Sequence, residues 1–289
     1  MVHKNRMHSI WNIAKAEYIK WITNPRIIIV GILLTFIHSF AVQPMLQHVE
    51  KYGEPLNKFE PFLAVCNSGM MALFMPVVFI LLMSDFPIMG NNTLLTVLRA
   101  GKKNWFWGQL LFAVMCIFSF VAFIFIGCML MSKGIFQVNW SNTVALYNSK
   151  FPDEAHSFVS KLIPPNLYNQ MSLLSALTYT IILLSLYLLM IALILCLLKM
   201  LYLRTVGIFT VIAICALGAT TCALQISAQW IFPTSNALIW LHYQELLREP
   251  VTPIFSSLLY FIIGDTVLLI INLRVVKTLQ FRNIEQEGD

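Results

Sequence analysis

Six long apolar stretches, separated by short polar segments, dominate the sequence. A helix needs about 20 mostly apolar residues to cross the hydrocarbon core of a membrane. The stretches predict transmembrane helices at residues 27–43, 62–83, 106–131, 173–198, 206–226 and 254–273. The first is expected to extend past Gln43. We therefore expect an all-α membrane protein whose residues 1–289 form a single transmembrane domain.

The distribution of Lys and Arg predicts how the chain is oriented. Cytoplasmic connections carry an excess of these residues. The segments on the same side as the N-terminus hold thirteen of them, and the connections on the other side hold six. This predicts that both termini lie in the cytoplasm.

Composition supports the membrane prediction and excludes a nucleic-acid partner. Hydrophobic residues make up 58% of the chain and charged residues 11%, whereas a soluble domain carries roughly 25% charge. The net charge is +6, and the Lys and Arg residues lie in short segments between the apolar stretches. This placement suits an anionic lipid leaflet better than a DNA groove. The six cysteines all lie inside apolar stretches and are expected to be packing residues.

Residues 10–23 predict an amphipathic helix lying in the inner interface of the bilayer. At 100° per residue, one arc holds the apolar residues Ile10, Trp11, Ala14, Tyr18, Trp21 and Ile22. Glu17 falls outside that arc. Asn24 and Pro25 then favour a turn into the first span. The alternative is an anchor that holds the chain at the interface without any mechanical role.

The connection between the second and third spans predicts a short cytoplasmic helix over residues 94–99. Asn92 or Thr93 can cap its start, and Gly101 can end it. Such a helix suits docking to a partner, and an ordinary positively charged loop is the alternative. The candidate docking residues are Asp85, Asn92, Thr93, Leu94, Leu95, Leu98, Arg99, Lys102 and Lys103.

Two outer connections also have a predicted structure. Residues 132–172 indicate an ordered loop or small cap. From Ser235 onward, Ile239, Trp240 and Tyr243 share one face of a predicted helix, and His242 and Glu245 lie on the other. This pattern is typical of a helix resting in the outer interface or dipping into it, and an aromatic belt explains it equally well.

Asp265 is the clearest charge within a predicted span. An ionised carboxylate at the centre of a transmembrane helix costs about 2.5–3.5 kcal/mol on insertion scales. We therefore expect it to face the protein interior. It is a candidate for a translocation path, and a hydrogen bond to Thr220, Thr221 or Gln225 of a neighbouring helix is the structural alternative.

The chain lacks the motifs of the enzyme classes considered. It contains no GxxxxGK[ST] loop for ATP and no HExxH pair for zinc. An intramembrane aspartyl protease needs two aspartates at one depth, and Asp85 and Asp265 lie about two turns apart in depth. We expect a chain that is not an enzyme and binds no cofactor itself.

The chain resembles the permease subunits of ABC-2 type ATP-binding cassette transporters over nearly its whole length. The resemblance rests on the opening IWNIAKAEYIKWITNPRIII, on SDFPIMGNNTLLTVLRAGKKNWFWGQLL after the second span, and on the closing VVKTLQFRN. Glu17, Asp85, Arg99 and Lys103 match the family's charged positions. The sequence departs from the family at Gly90–Thr93, where many members have a glycine-threonine pair.

The resemblance implies a function and its partners. Two permease halves, identical or different, would pair in a bacterial cell membrane, and a separate cytoplasmic ATPase would supply ATP and Mg²⁺. That ATPase would grip the second connection, while residues near Trp240, Tyr243 and Glu245 would line or close the exit. An amphipathic or hydrophobic cargo is implied, with resistance or immunity to peptide antibiotics or bacteriocins as one use.

Two other classes of function stay open on the sequence. A proton-coupled secondary transporter would use Asp265, although such carriers usually place several polar groups at mid-membrane. A sensor or assembly factor would move no substrate.

Overall fold

The computed structural model describes residues 2–89, 93–155, 157–245 and 249–279. Across these ranges the chain is helical and forms no β-strand. The α-helices are α1 (Val2–Ile22), α2 (Pro25–Tyr52), α3 (Glu60–Asn67), α4 (Met71–Leu82), α5 (Thr93–Ala100), α6 (Lys102–Met131), α7 (Asn142–Ala145), α8 (Tyr147–Lys150), α9 (Pro165–Tyr168), α10 (Leu173–Met200), α11 (Arg204–Ala223), α12 (Pro233–Ala237) and α13 (Ile254–Thr278). Short 3₁₀ turns lie at Pro152–Glu154, Ser227–Ile231 and Ile239–His242. α2 begins with a 3₁₀ turn at Pro25–Ile27 and contains a π-helical turn at His38–Val42.

Five helices are long and apolar enough to cross a membrane: α2, α6, α10, α11 and α13. A sixth span is present if the bent pair α3 and α4 counts as one. These helices coincide with the predicted apolar stretches, and α2 extends past Gln43 to Tyr52 as expected. The architecture therefore indicates an all-α membrane protein.

The second predicted span, residues 62–83, is a bent pair of helices. The chain bends by 85° between α3 and α4, where Asn67, Ser68 and Gly69 interrupt the apolar run. A broken helix is tolerated at membrane depth when protein groups satisfy its free backbone atoms. Here the Nδ2 of Asn67 donates to the backbone oxygen of Leu63 at 3.1 Å.

The first span begins at a sharp turn, as predicted. The Oδ1 of Asn24 accepts a 3.0 Å hydrogen bond from the backbone N–H of Arg26. Pro25 opens a short 3₁₀ turn that leads into the helix. Proline suits this place because the first turn of a helix leaves its N–H groups unpaired.

The main core lies where α10 packs against α13 and α6. Large buried rings fill it, including Phe112, Phe120, Tyr187 and Phe261. The opposite faces of these helices carry exposed Leu, Ile, Val and Phe side chains, which suits contact with lipid. All six cysteines are buried and free.

The connection 132–172 forms an ordered cap over one end of the bundle, as predicted. The capped end consists of this connection, α3 with the break that follows it, the start of α10 and residues 238–245, which contact the connection and the break. Buried Glu60 joins the connection to the start of α3, because its carboxylate accepts hydrogen bonds from the backbone N–H of Asn57 at 2.8 Å and of Ser141 at 2.6 Å. The Ser141 hydroxyl donates to the same carboxylate at 2.8 Å.

The prediction of one amphipathic helix from Ser235 is wrong. α12 ends at Ala237, and a separate 3₁₀ turn follows at Ile239–His242. His242, predicted on the polar face, is fully buried, and burial lowers the pKa of its imidazole. Its ring contacts the Ser257 hydroxyl at 2.8 Å and so ties this segment to α13.

Candidate functional site

The two ends of the bundle differ in charge, and most of the candidate residues lie at one of them. We call it the basic end: it comprises α1, α5, the starts of α2, α6 and α11, and the ends of α4, α10 and α13. The Lys and Arg distribution predicts that it faces the cytoplasm.

α5 is a two-turn helix with one covered side and one bare side. Thr93 and Val97 are buried, whereas Leu94, Leu95 and Leu98 are 41%, 53% and 73% exposed. Apolar side chains grouped at a polar end of a protein mark an interaction surface. The sequence placed this helix correctly, although the candidate cap Asn92 lies outside the described residues.

Gly101 is the single residue that connects α5 to α6. Its φ of +82° lies in the left-handed region that favours glycine. Its backbone N–H donates to the oxygen of Val97 at 2.8 Å and so ends α5. This geometry agrees with the predicted role of Gly101.

The three basic residues around this junction have different environments. Lys102 donates to the backbone oxygen of Leu279 at 2.6 Å, and so joins the start of α6 to the end of α13. Arg99 and Lys103 are exposed. A partner can therefore reach Arg99 and Lys103 more readily than Lys102.

α1 packs along the first half of α6, and does not lie apart from the bundle. Its contact side carries the buried residues Ile13 and Ala14. The hydroxyl groups of Tyr18 and Ser119 are 2.6 Å apart, and the indole N–H of Trp21 donates to the backbone oxygen of Leu82 at 3.2 Å.

The side of α1 that packs in the bundle coincides only in part with the predicted apolar arc. Trp11 and Ile22, predicted on the apolar arc, are 49% and 46% exposed. Glu17, predicted outside the arc, has a side chain that is 16% exposed and pairs with Lys20 at 3.2 Å. The difference arises because α6 covers the Ile13 side of α1, a contact that helical periodicity alone does not reveal.

A cleft of about 690 Å³ separates α1 from α5. Asn12 and Glu17 line one wall, and Thr96 and Arg99 line the other. The cleft therefore places Glu17 and Arg99, two of the candidate residues, on a shared surface beside the bare side of α5.

Asp85 is the centre of an ion-pair cluster at the basic end. Its carboxylate bridges Arg26, at the start of α2, and Arg204, at the start of α11. The Nζ of Lys199, at the end of α10, donates to the Asp85 backbone oxygen. Asp85 thus connects the starts of α2 and α11 with the ends of α4 and α10.

Asp265 lies on the side of α13 that packs against α10. It is 7% exposed, and neither carboxylate oxygen has a hydrogen-bond partner among the described residues. The expectation that it faces the protein interior is met. The alternative hydrogen bonds to Thr220, Thr221 or Gln225 are not formed.

The outer candidates lie around the break in the second span. The Trp240 indole N–H donates to the backbone oxygen of Asn67 at 2.8 Å. Tyr243 is half-buried and Glu245 is exposed. Trp240 therefore has a packing role at the capped end, whereas Glu245 is open to its surroundings.

Sequence reasoning missed several buried polar residues, among them Glu60, Asn67 and Asn272. A polar residue inside or beside an apolar stretch was the available signal for each. Asn272 donates to the backbone oxygen of Leu193 at 3.2 Å and so joins α13 to α10. No cluster of His, Cys, Asp or Glu suited to a metal ion occurs within the described ranges.

Comparison with models of protein families, with curated protein sequences and with solved structures finds no match to this chain.

Proposed function

We propose that the chain is the membrane-spanning permease subunit of an ATP-driven exporter of the ABC-2 type. A separate cytoplasmic ATPase binds ATP and Mg²⁺ and docks on α5, and a second permease, identical or different, completes the transporter. The observation that carries the proposal is the bare apolar side of α5, formed by Leu94, Leu95 and Leu98. Three exposed leucines at a polar end of the molecule form an apolar surface that a partner can cover.

The neighbouring groups support the same role. Arg99 and the α1–α5 cleft lie beside the leucines, so a partner can combine apolar contacts with a charged one. Because α1 packs on α6, force applied to α5 and α1 reaches a membrane helix directly. An ATP-driven transporter needs such a contact, because movement of the ATPase must change the arrangement of the transmembrane helices.

The proposal also includes the chemical class of the transported compound. An amphipathic or hydrophobic compound, such as a peptide antibiotic or bacteriocin, follows from the resemblance to ABC-2 permeases. It would leave near Trp240, Tyr243 and Glu245 at the capped end. Expression in a sensitive bacterium, together with the ATPase, should raise the concentration of such a peptide that the cells survive.

The docking test compares the parent with a double variant, Leu94→Asp with Leu98→Asp. The chain is co-expressed with the ABC ATPase encoded nearest to it and purified in nanodiscs. The parent should co-elute with the ATPase, and the double variant should not, because two buried carboxylates would lack partners.

A matched control carries Leu146→Asp, which changes a leucine that is 48% exposed in the cap. This control should co-elute like the parent. Failure of the parent to bind the ATPase, or equal binding by parent and double variant, would refute docking on α5.

A proton-coupled carrier is the second candidate, and one observation favours it. The carboxylate of Asp265 is buried in a span without a hydrogen-bond partner among the described residues. Intramembrane carboxylates of this kind occur in proton relays. The two candidates differ in their energy source, so transport by Asp265→Asn in the presence and absence of ATP separates them.

A further inference from the structure

A cleft of about 460 Å³ opens at the basic end between α1, α4 and the α10–α11 turn. Four basic side chains and one carboxylate line it: Lys20, Arg26, Lys199, Arg204 and Asp85. Glu17 neutralises Lys20 from outside the cleft. The three remaining cations against one carboxylate leave a formal charge of +2. The pairing within the Asp85 cluster therefore leaves positive charge without a partner in the cleft.

The ion pairs of the cluster are accessible from outside. The side chains of Arg26, Asp85 and Arg204 are 43%, 44% and 53% exposed. Each arginine has five N–H donors, and one carboxylate cannot occupy them all. The arginines therefore keep donors available for a second anion.

The remaining walls of the cleft are apolar. Trp21, Leu82, Met83, Phe86 and Phe112 contribute to them. The cleft is thus amphipathic, with cations beside an apolar surface at the inner ends of membrane helices. A soluble phosphate would use only the cations, whereas a lipid uses both parts of the surface.

We infer that this cleft binds the phosphate headgroup of an anionic phospholipid, with Arg26, Lys199 and Arg204 as the binding cations and the apolar walls beside its acyl chains. Basic pockets between helices on the cytoplasmic side suit such headgroups. The distribution of Lys and Arg predicts that this lipid belongs to the cytoplasmic leaflet of the membrane. A bound lipid would hold together the inner ends of α2, α4, α10 and α11. This inference is independent of the proposed docking on α5.

The test uses the full chain, purified in detergent and stripped of lipid. Phosphatidylglycerol and phosphatidylcholine with identical acyl chains are titrated, and binding is followed by native mass spectrometry. Phosphatidylglycerol should bind more tightly. Arg26→Gln and Arg204→Gln should each weaken its binding about fivefold, because each removes one charge near the headgroup. Arg274→Gln, which changes an exposed arginine outside the cleft, should leave the affinity unchanged.

Asp85→Asn separates an anion site from a cluster that only stabilises the fold. Loss of the competing carboxylate should tighten phosphatidylglycerol binding about fivefold if the cleft is an anion site. Weaker binding by this variant would overturn the inference. Arg204→Lys keeps the charge and should retain most of the affinity. Because both variants lose the arginine, weaker binding in Arg204→Gln alone is due to the lost charge and not to a folding defect.

A soluble competitor identifies the source of the phosphate. Glycerophosphoglycerol carries the same phosphodiester headgroup without acyl chains and should displace phosphatidylglycerol only at far higher concentration. Displacement at equal concentration would overturn the lipid assignment, because the apolar walls would then contribute nothing. Equal binding of the two lipids by the parent would overturn the site altogether.

Discussion

The side chain of Asn67 accepts a 3.0 Å hydrogen bond from the backbone N–H of Ile239, 172 residues later in the chain. The same side chain donates to the Thr180 hydroxyl at 3.1 Å. Asn67 therefore joins the break between α3 and α4 to α10 and to the segment after α12. One buried amide holds three distant parts of the capped end.

Asn67→Ala should destabilise the protein by about 1–3 kcal/mol, because it leaves the buried N–H of Ile239 without an acceptor. Thermal unfolding in detergent, followed by size-exclusion chromatography, measures the change. Asn142→Ala removes an exposed amide that donates to Glu54, and its effect should be clearly smaller. Equal losses from the two variants would show that the Asn67 contacts contribute little.

The contact between α1 and α6 gives the second prediction. A Cβ atom at Gly108 would lie 2.7 Å from the Cγ2 of Ile13 and 2.8 Å from its Cβ. Gly108→Ala should therefore push α1 away and cost about 1–3 kcal/mol, as is usual for overpacking. Limited proteolysis of α1 and thermal unfolding measure the displacement and the loss.

Gly31→Ala is the matched control for Gly108→Ala. No atom lies within 4 Å of a Cβ built at Gly31. Alanine is a better helix former than glycine by about 1 kcal/mol, so this control should be neutral or slightly stabilising. Protection of α1 that is equal in Gly108→Ala and in the parent would contradict the close packing.

Hydropathy located the spans because bilayer thickness fixes the length of an apolar helix. α6, α10 and α13 begin and end within five residues of their predicted bounds. Gly101 and the α5 helix were also predictable, since a cap and a left-handed glycine are local signals. These elements depend on neighbours in sequence alone.

The break in the second span could not be read from the sequence in the same way. A window average hides Asn67 inside an apolar run, and its partners Thr180 and Ile239 are distant in sequence. The Asp85 cluster is similar, because Arg204 follows Asp85 by 119 residues. Such pairings depend on how the helices pack, and composition and periodicity do not contain that information.

The cap provides a prediction about pH. Hydrogen bonds from Lys51 and Tyr147 lower the pKa of Glu154 below its ordinary value of 4.5, and the positive charge of Lys51 and the nearby His48 act in the same direction. A carboxylate with a lowered pKa stabilises the fold above its unfolded-state pKa, and this contribution disappears as the pH falls through the folded-state value. The cap should therefore loosen only below about pH 4.5.

Hydrogen exchange of residues 142–155 between pH 7 and pH 3 measures this loosening, after correction for the intrinsic exchange rate. Glu154→Gln has no charge to lose, so its protection should vary less with pH in this range. A parent and variant with the same pH profile would show that the contacts of Glu154 do not hold the cap.

Asp265 gives the last prediction, which also separates the two proposed functions. Asp265→Asn breaks no hydrogen bond among the described residues, so it should leave the stability nearly unchanged. Asn272→Ala on the same helix removes the bond to Leu193 and should cost about 0.5–1.5 kcal/mol. Thermal unfolding compares the two variants.

In vesicles with the ATPase, Asp265→Asn should retain ATP-driven transport because the partner supplies the energy. Transport that needs a proton gradient and stops in this variant, with its stability intact, would favour the proton-coupled carrier.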